Sequence, residues 1–452
     1  MNAVMESARA TPVVFECDLC VVGGSCTGVF AAVAAARRGL TVALVESSNQ
    51  FGGNTTAGFV ALWHSFRDTR DEDTIIGGLS AEFVSRLRPR GAVVEATEHN
   101  PHAHFMLSPG ESAIELDALV EEHGIHPFLH ARVVGAQVEA GRARAVILED
   151  KSGRRAIRAA HFIDASGDAD LVRLCGGETY AHPAVQPPTM ACLVSGLDEL
   201  KRAVPGFQLQ KAVFDAANPR ALPPGFLWHY RLPGAGRLDF LFGTRVHGVD
   251  CGEAADLTRA EMEGRKQVRR LLDLVREAQP SHPVTLAALP ARIGIRETRH
   301  AKCLHRLTEG EVLTGKRFPD AIANGTYRVD IHRQGGAGLT FRYLDGKQVE
   351  VHGDGSQTEG RWRPVQERDP AFYQIPYRSL VAAGLSNVLA VGRALDADPG
   401  AFGAVRVQVN CNQTGEAAGA AAALAKKTGK PFPELDPAAL RADLEAGGAV
   451  LR

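Results

Sequence analysis

No apolar run in this 452-residue sequence approaches the roughly 20 residues that span a bilayer. Neither sign of charge is in excess. Lys and Arg number 51 and Asp and Glu 52, which removes the electrostatic case for a nucleic acid or an anionic membrane as partner. The 8 cysteines are scattered, not clustered. They form neither a disulfide framework nor the ligand set of an iron–sulfur centre, and they read as reduced thiols of a cytoplasmic protein. Cys17 and Cys20 spell C-x-x-C, but inside a strand pattern, where core packing is the expectation. No residue spacing calls for a metal. The opening MNAVMESARATP has no apolar stretch of the signal-peptide kind and reads as a frayed leader.

What is present stands near the beginning. Leu19 to Val22 form a short apolar run, as expected of a strand buried on both faces. A turn follows, Gly23-Gly24-Ser25-Cys26-Thr27-Gly28, and then an almost entirely small and apolar helix from Val29 to Ala36, with Gly39 as its C-terminal stop. A second strand, Thr41 to Val45, delivers Glu46 and Ser47. Against G-x-G-x-x-G, Gly23 and Gly28 match and Ser25 replaces the middle glycine. Helix N-terminal amides would face a diphosphate, and the acid at the second strand's end accepts from ribose hydroxyls. An ordinary parallel α/β unit shares the strand–helix–strand part. The Gly-rich turn and terminal acid in register favour a dinucleotide, with Glu46 set against a 2′-phosphate.

A second loop, Gly52, Gly53, Asn54, Thr55, Thr56, interrupts the expected alternation of helix and strand. Helical spacing returns at 80–87 and 112–122. Residues 130–165 read as a β-meander whose turns are Ala140-Gly141 and Lys151-Ser152-Gly153, ending in FIDASGDADL. From about 181 to 374 the βαβ pattern is lost. Thr258-x-x-Glu261 reads as a capping box opening a helix, and Asp345-Gly346 as a hairpin turn. A buried strand ending in Gly392-Arg393 and a helix from about Val405 to Lys426 restore the opening pattern.

Together VVGGSCTG with Glu46, FGGNTTAG, FIDASGDADL, RIGIRETR, the 315–332 run, YQIPYRSL, NVLAVGRALD and GAVRVQVNCNQTGEAAG resemble the FAD-dependent oxidoreductase family (FAD_oxidored type) of glutathione-reductase-like flavoproteins. The resemblance covers residues 16–427. It implies an α/β fold: a Rossmann-like FAD-binding domain, a parallel sheet with a β-meander, carrying an inserted α+β substrate or cap domain. The FAD domain would be discontinuous (14–75, 112–180 and 375–428), with 76–111 and 181–374 as cap and 429–452 as a tail. Implied FAD contacts are Gly23, Gly24, Ser25, Cys26, Thr27 and Gly28 at the diphosphate, and Glu46 with Ser47 at the ribose. Gly52, Gly53, Asn54, Thr55 and Thr56 would run beside the ring system. Val133 would lie at adenine, and Ala165, Ser166, Gly167 and Asp168 along the adenosine half. Gly392, Arg393, Gly403, Ala404 and Val405 would meet the ribityl chain and flavin. The polar Asn410–Gln413 stretch departs from the family's usual apolar residues.

Flavin supplies redox chemistry and the protein supplies orientation. No second Gly-rich nucleotide turn is evident, so electrons are expected from an organic substrate or a transient donor. Asp330 and His332 share a strand face, and an Asp–His pair makes a general base for an alcohol or amine. The alternative is a hydrogen-bonded structural histidine. Arg296, with Arg299 and His300, would bind a carboxylate or hydroxyl-rich substrate; equally, Arg296 and Glu297 form an internal ion pair. Tyr377, with Arg378, is expected to line the pocket, and His64 is a weaker candidate. The expected activity is hydride transfer between flavin N5 and a polar small molecule. Reduction of an activated double bond, flavin use without net redox, and a degenerate scaffold acting through partners are the rivals. A homo-oligomer is left open.

Overall fold

Strand β1 (Val13–Val22) changes character half-way. Its first residues are exposed, whereas Leu19 and Val21 enter one core and Cys20 and Val22 another. This is the pattern of a central strand with cover on both faces. The structure, a computed structural model, describes residues 3–96, 104–215, 217–223, 225–281, 284–333, 338–352 and 356–452. Helix α1 (Cys26–Ala36) leaves β1 through the Gly23 turn and is followed by β2 (Val42–Val45), parallel to β1. The helix lacks a polar face because it has no wet side: Cys26 to Ala35 are all buried.

The chain then builds β3 (Leu62–His64), α2 (Gly78–Leu87), β4 (Val93–Ala96), β5 (His104–Leu107) and α3 (Pro109–Glu122). The 76–111 stretch sends Leu79, Phe83, Val84 and Leu87 into the core that surrounds α1, where Phe83 stacks on Trp63 at 5.4 Å and meets Phe30 at 5.8 Å. The same core also takes in Leu193, Phe240 and Phe318 of the 181–374 stretch.

Strand β6 (His126–Phe128) joins β2, and the meander follows as β7 (Arg132–Glu139), β8 (Arg142–Asp150) and β9 (Gly153–Asp164). The main sheet runs β6-β2-β1-β9-β8-β7. Strand β9 is shared along its length. Residues 153–158 pair antiparallel with β8, and Phe162–Asp164 pair parallel with the returning strand Val388–Ala390. The sheet thus combines parallel strands and a meander.

Residues 181–374 form separate antiparallel sheets. One has the order Trp228–Arg231, Asp239–Phe242, Cys192–Ser195, Thr285–Ala288 and packs with the helix Ala254–Ala278. That helix begins before the expected capping box. Thr258 is already inside it, its hydroxyl donating back to Ala254 O at 2.9 Å. A true capping box stands at Thr308 and Glu311, opening the helix Glu309–Leu313. The other large sheet, Val329–His332, Leu339–Arg342, Lys347–Val351 and Gln357–Arg361, includes the expected Asp345-Gly346 hairpin.

At the C-terminal side the expected helix stands at Gln408–Thr428, and a separate short helix precedes it. Pro399–Val405 ends before Arg406, and Gln408–Thr428 begins after Val407. The second lies across α1 at very short range. Cβ atoms built on Gly415 and Gly419 would fall 2.1 Å from Thr27 O and 2.2 Å from Ala31 O. The tail helix Pro437–Ala446 buries Leu440 and Leu444, and Arg38 donates to Asp443 at 2.6 Å. Among the described residues no helix is long and apolar enough to cross a membrane.

Candidate cofactor cleft and substrate cavity

Gly23 takes φ +105, and a Cβ there would lie 2.3 Å from Ala165 O. Glycine lets the first turn press against the end of β9. Ser25, the unorthodox residue, is the N-cap of α1: its hydroxyl oxygen accepts from Gly28 N at 3.4 Å. Ser25 also bridges Gly52 in parallel fashion, so the two glycine-rich loops lie side by side.

These loops form one wall of a cleft. Its lining includes Ser25, Cys26, Thr27, Gly52, Asn54, Ala165, Ser166, Gly167, Gly392 and Arg393, all read from the sequence as cofactor contacts. It also includes Arg292, Val391, Arg406, Gln408, Cys411 and Asn412, which were not. Buried Nη1 of Arg393, Nε of Arg406 and Nδ2 of Asn412 have no partner among the described residues. Three orphaned donors along one cleft fit a ligand dense in acceptors, such as a diphosphate, ribityl chain and flavin ring edge.

Next to the cleft is a second, larger space of about 1050 Å³, counting its open side, lined by Asn54, His64, Arg245, Arg296, Asp330 and His332 among others. Asn54, Arg393, Arg406 and Gln408 line both spaces. The geometry is a narrow cleft beside a wider cavity, with four side chains common to both walls.

A family model for FAD dependent oxidoreductase matches residues 18–444. The chain belongs to this family. The flavoenzyme's known structural likenesses are distant. A geranylgeranyl bacteriochlorophyll reductase-like protein from Thermoplasma acidophilum shares 13% identity over 96% of this chain and 83% of that one, with TM-score 0.48. The flavin-dependent brominase Bmp2 shares 11% over 94% and 83%, TM-score 0.47. A flavoprotein/dehydrogenase from Cytophaga hutchinsonii shares 13% over 92% and 79%, TM-score 0.45. No curated protein matches the sequence. The enzyme's cofactor is FAD.

Other residues read as FAD contacts shape the cleft of this oxidoreductase from behind. Glu46 is buried; its carboxylate accepts from Gly24 N at 2.7 Å and Ser48 N at 2.8 Å, with Ser47 Oγ at 3.2 Å. Gly28 and Gly53 have no room for a Cβ, which would meet Gly23 O and Ser25 Cβ. Thr55 donates to Gln408 on the helix Gln408–Thr428, and Thr56 donates within the loop to Phe51 O. Val133 is the second residue of β7, beside the segment in which Ala131 N donates to Glu46 O at 3.0 Å. Asp168 accepts from Thr298 Oγ1 at 2.6 Å and Arg393 Nη2 at 3.4 Å, fixing the arginine.

Five of the expected positions stand apart from both spaces. Gly403, Ala404 and Val405 line neither space, because their helix is packed on the strand Val329–His332 and a Cβ on Gly403 would lie 2.9 Å from Asp330 O. The break after Val405 instead presents Arg406, Val407 and Gln408. Tyr377 is also away from the cavity: it is buried and donates to Phe432 O at 3.1 Å. Arg378 pairs with Asp320 at 2.9 Å.

The Arg296–Glu297 alternative resolves as well. Glu297 turns to His182 and His300, and accepts from Gln186 N at 2.9 Å. Burial pushes its carboxyl up, but the two histidines outweigh that and hold it down at about 2. Arg299 pairs with Asp170, and His300 is fully buried, so neither reaches the cavity. Arg296 does; it donates through Nη1 to Thr189 Oγ1 at 2.6 Å and to Pro187 O.

Asp330 and His332 face each other as their shared strand side requires, with His332 Nε2 3.3 Å from Asp330 Oδ1. Tyr327 donates to Asp330 Oδ2 at 2.7 Å and Arg406 at 3.0 Å. Burial pushes the Asp330 carboxyl up, yet His332, Arg406 and Arg328 hold it well below the usual carboxylate range. Burial, then Arg296, drives His332 the other way, down to about 3. The imidazole is therefore neutral at ordinary pH. Its Nδ1 lone pair accepts from Arg245 Nε at 3.4 Å, which leaves the proton of the neutral ring on Nε2, the nitrogen 3.3 Å from Asp330 Oδ1. His64 lines the same cavity, its ring 4.0 Å from that of Tyr327.

Proposed function

We propose that this FAD-dependent oxidoreductase transfers a hydride between flavin N5 and a polar small molecule seated in the larger cavity. The single observation carrying the reading is that the two spaces adjoin, with Asn54, Arg393, Arg406 and Gln408 lining both. Bound FAD supplies the hydride acceptor or donor. Ser25 to Thr27, Gly52 and Ala165 to Gly167 hold its diphosphate and ribityl portion, Glu46 and Val133 its adenosine end, and Arg393, Arg406 and Gln408 its ring.

The chain's own part is proton handling and exclusion of water. Asp330 keeps the His332 proton on Nε2, as an orienting carboxylate does, which leaves Nδ1 as the basic atom. The Arg245 contact on Nδ1 is long, and a substrate hydroxyl or amine enters there to give up its proton. Arg296 and Arg245 then place the substrate's polar end.

The test is purification followed by an absorbance spectrum and FAD release, then anaerobic mixing with candidate alcohols and amines. Bleaching of the flavin bands by a substrate supports the reading. A protein without FAD, or flavin that no substrate reduces and that acts only as a reductant of activated double bonds, overturns it.

A further inference from the structure

The cavity's charges do not balance. Four guanidinium groups line it, from Arg245, Arg296, Arg393 and Arg406, against one carboxylate, Asp330. Arg406 pairs with Asp330 at 3.0 Å and Arg393 with Asp168 at 3.4 Å. His332 and His64 are neutral, both held down first by burial. Arg245 and Arg296 are left over. Among the described residues neither has a carboxylate partner, and Arg296 uses only Nη1 for hydrogen bonds, leaving Nε and Nη2 to the cavity. Buried charges in proteins are paired, so two enclosed and uncompensated guanidiniums mark the place of an anion.

The anion is not the cofactor's. Arg245 and Arg296 line the larger cavity only and are absent from the cleft that holds Ser25 to Thr27. Beside Arg245, which donates to Phe226 O at 3.2 Å, the cavity wall is aromatic: Phe226, Trp228, Tyr230 and Phe242, with Tyr230 and Phe242 stacked at 5.6 Å. Such a wall rewards a flat apolar body, and planar guanidiniums match a carboxylate in two-point contact.

We infer that the substrate is an organic acid with a ring-sized apolar body, its carboxylate held by Arg245 and Arg296 and its body against Phe226, Trp228, Tyr230 and Phe242. The inference deepens the hydride-transfer reading and rests on it. Burial pushes both guanidiniums down, Arg245 to about 10 and Arg296, which also feels Arg406 and Arg245, to about 9, as expected of cations waiting for a counter-charge.

The experiment titrates the FAD-loaded enzyme, its FAD content first scored by release, with phenylacetate, acetate, 2-phenylethanol, phenethylamine and phenyl phosphate, reading the flavin difference spectrum and tryptophan fluorescence. Absence of FAD fails the underlying reading before any probe is added. With FAD present, phenylacetate is expected to bind at least about tenfold more tightly than each other probe, the yield of one charge-assisted hydrogen bond. Arg296→Met is expected to weaken phenylacetate about tenfold and leave 2-phenylethanol unchanged, with Arg296→Lys recovering part of the loss. Trp228→Ala, at the rim, should weaken phenylacetate and not acetate. The inference is overturned if the alcohol, amine or phosphate binds as tightly as the acid, if acetate equals phenylacetate, if no probe binds, or if both Arg296→Met and Trp228→Ala retain full phenylacetate affinity.

Discussion

Glu416 shows how a single buried side chain sets a pH dependence. It stands on the long helix Gln408–Thr428, and its Oε2 accepts from Leu79 N at 3.0 Å. Burial raises its carboxyl from 4.5 to about 7. The sign follows from linkage. Between those values the unfolded chain releases the proton while the folded chain keeps it, so stability falls as pH rises and is constant above the folded value. The accumulated loss is on the order of 3 kcal/mol. Glu416→Gln keeps an acceptor for Leu79 N and removes the charge. Denaturation at pH 5 and pH 8 should show the variant near wild type at the lower pH and more stable at the higher; equal effects at both would refute the assignment. His332 gives the complementary case in catalysis. Held at about 3, it is neutral from pH 5 to 8, so flavin reduction should show no step near 6.5 from this residue. His332→Asn should slow reduction by roughly 10²-fold or more without loss of FAD. An unchanged rate would remove His332 from proton transfer.

At the level of elements, the crossing of α1 and Gln408–Thr428 decides whether the cleft exists. Gly415 and Gly419 stand against backbone carbonyls of α1, which cannot rotate aside as a side chain would. Alanine is favoured over glycine in a helix by about 1 kcal/mol, but overpacking here costs about 1–3 kcal/mol. Gly419→Ala should therefore lower the chemical-denaturation midpoint and weaken FAD retention together, because Thr27 and Asn412 on the two helices line the same cleft. A variant more stable than wild type would contradict the crossing. The βαβ unit, the meander and the returning strand were legible in the sequence because both-face burial and turn glycines leave local patterns. The polar Asn410–Gln413 stretch was not. Gln413 bonds Asn324, Asn410 bonds Tyr373, and Cys411 and Asn412 line the cleft, all of which depend on partners far away in the chain. Arg245, Arg406 and Gln408 escaped for the same reason, and the helix break that exposes the last two carries no Pro or Gly at 406–407 to announce it. The capping box was misplaced because its short pattern at Thr258 fell within a helix already begun at Ala254.

The whole molecule is held together around the cofactor cleft. Its walls come from residues 25–27, 52–54, 165–167 and 391–412 with Arg292, so one ligand filling it would contact the first unit, the end of the meander and the last long helix at once. A ligand that binds only the folded chain stabilises it by mass action, about 2.7 kcal/mol at a free concentration of 100 Kd. FAD-free protein titrated with FAD should gain stability by that amount in denaturant unfolding. Backbone amides of Gln408–Thr428 should exchange more slowly in step with those of α1, though about 380 residues separate the two helices in sequence. ADP, which reaches only the adenosine and diphosphate positions, should protect α1 and leave the N-terminal turn of Gln408–Thr428 unprotected. Equal protection of that turn by ADP and FAD would mean that Arg406 and Gln408 do not meet the flavin end. The orphaned donors of Arg393 and Arg406 would then have to be satisfied by the substrate instead.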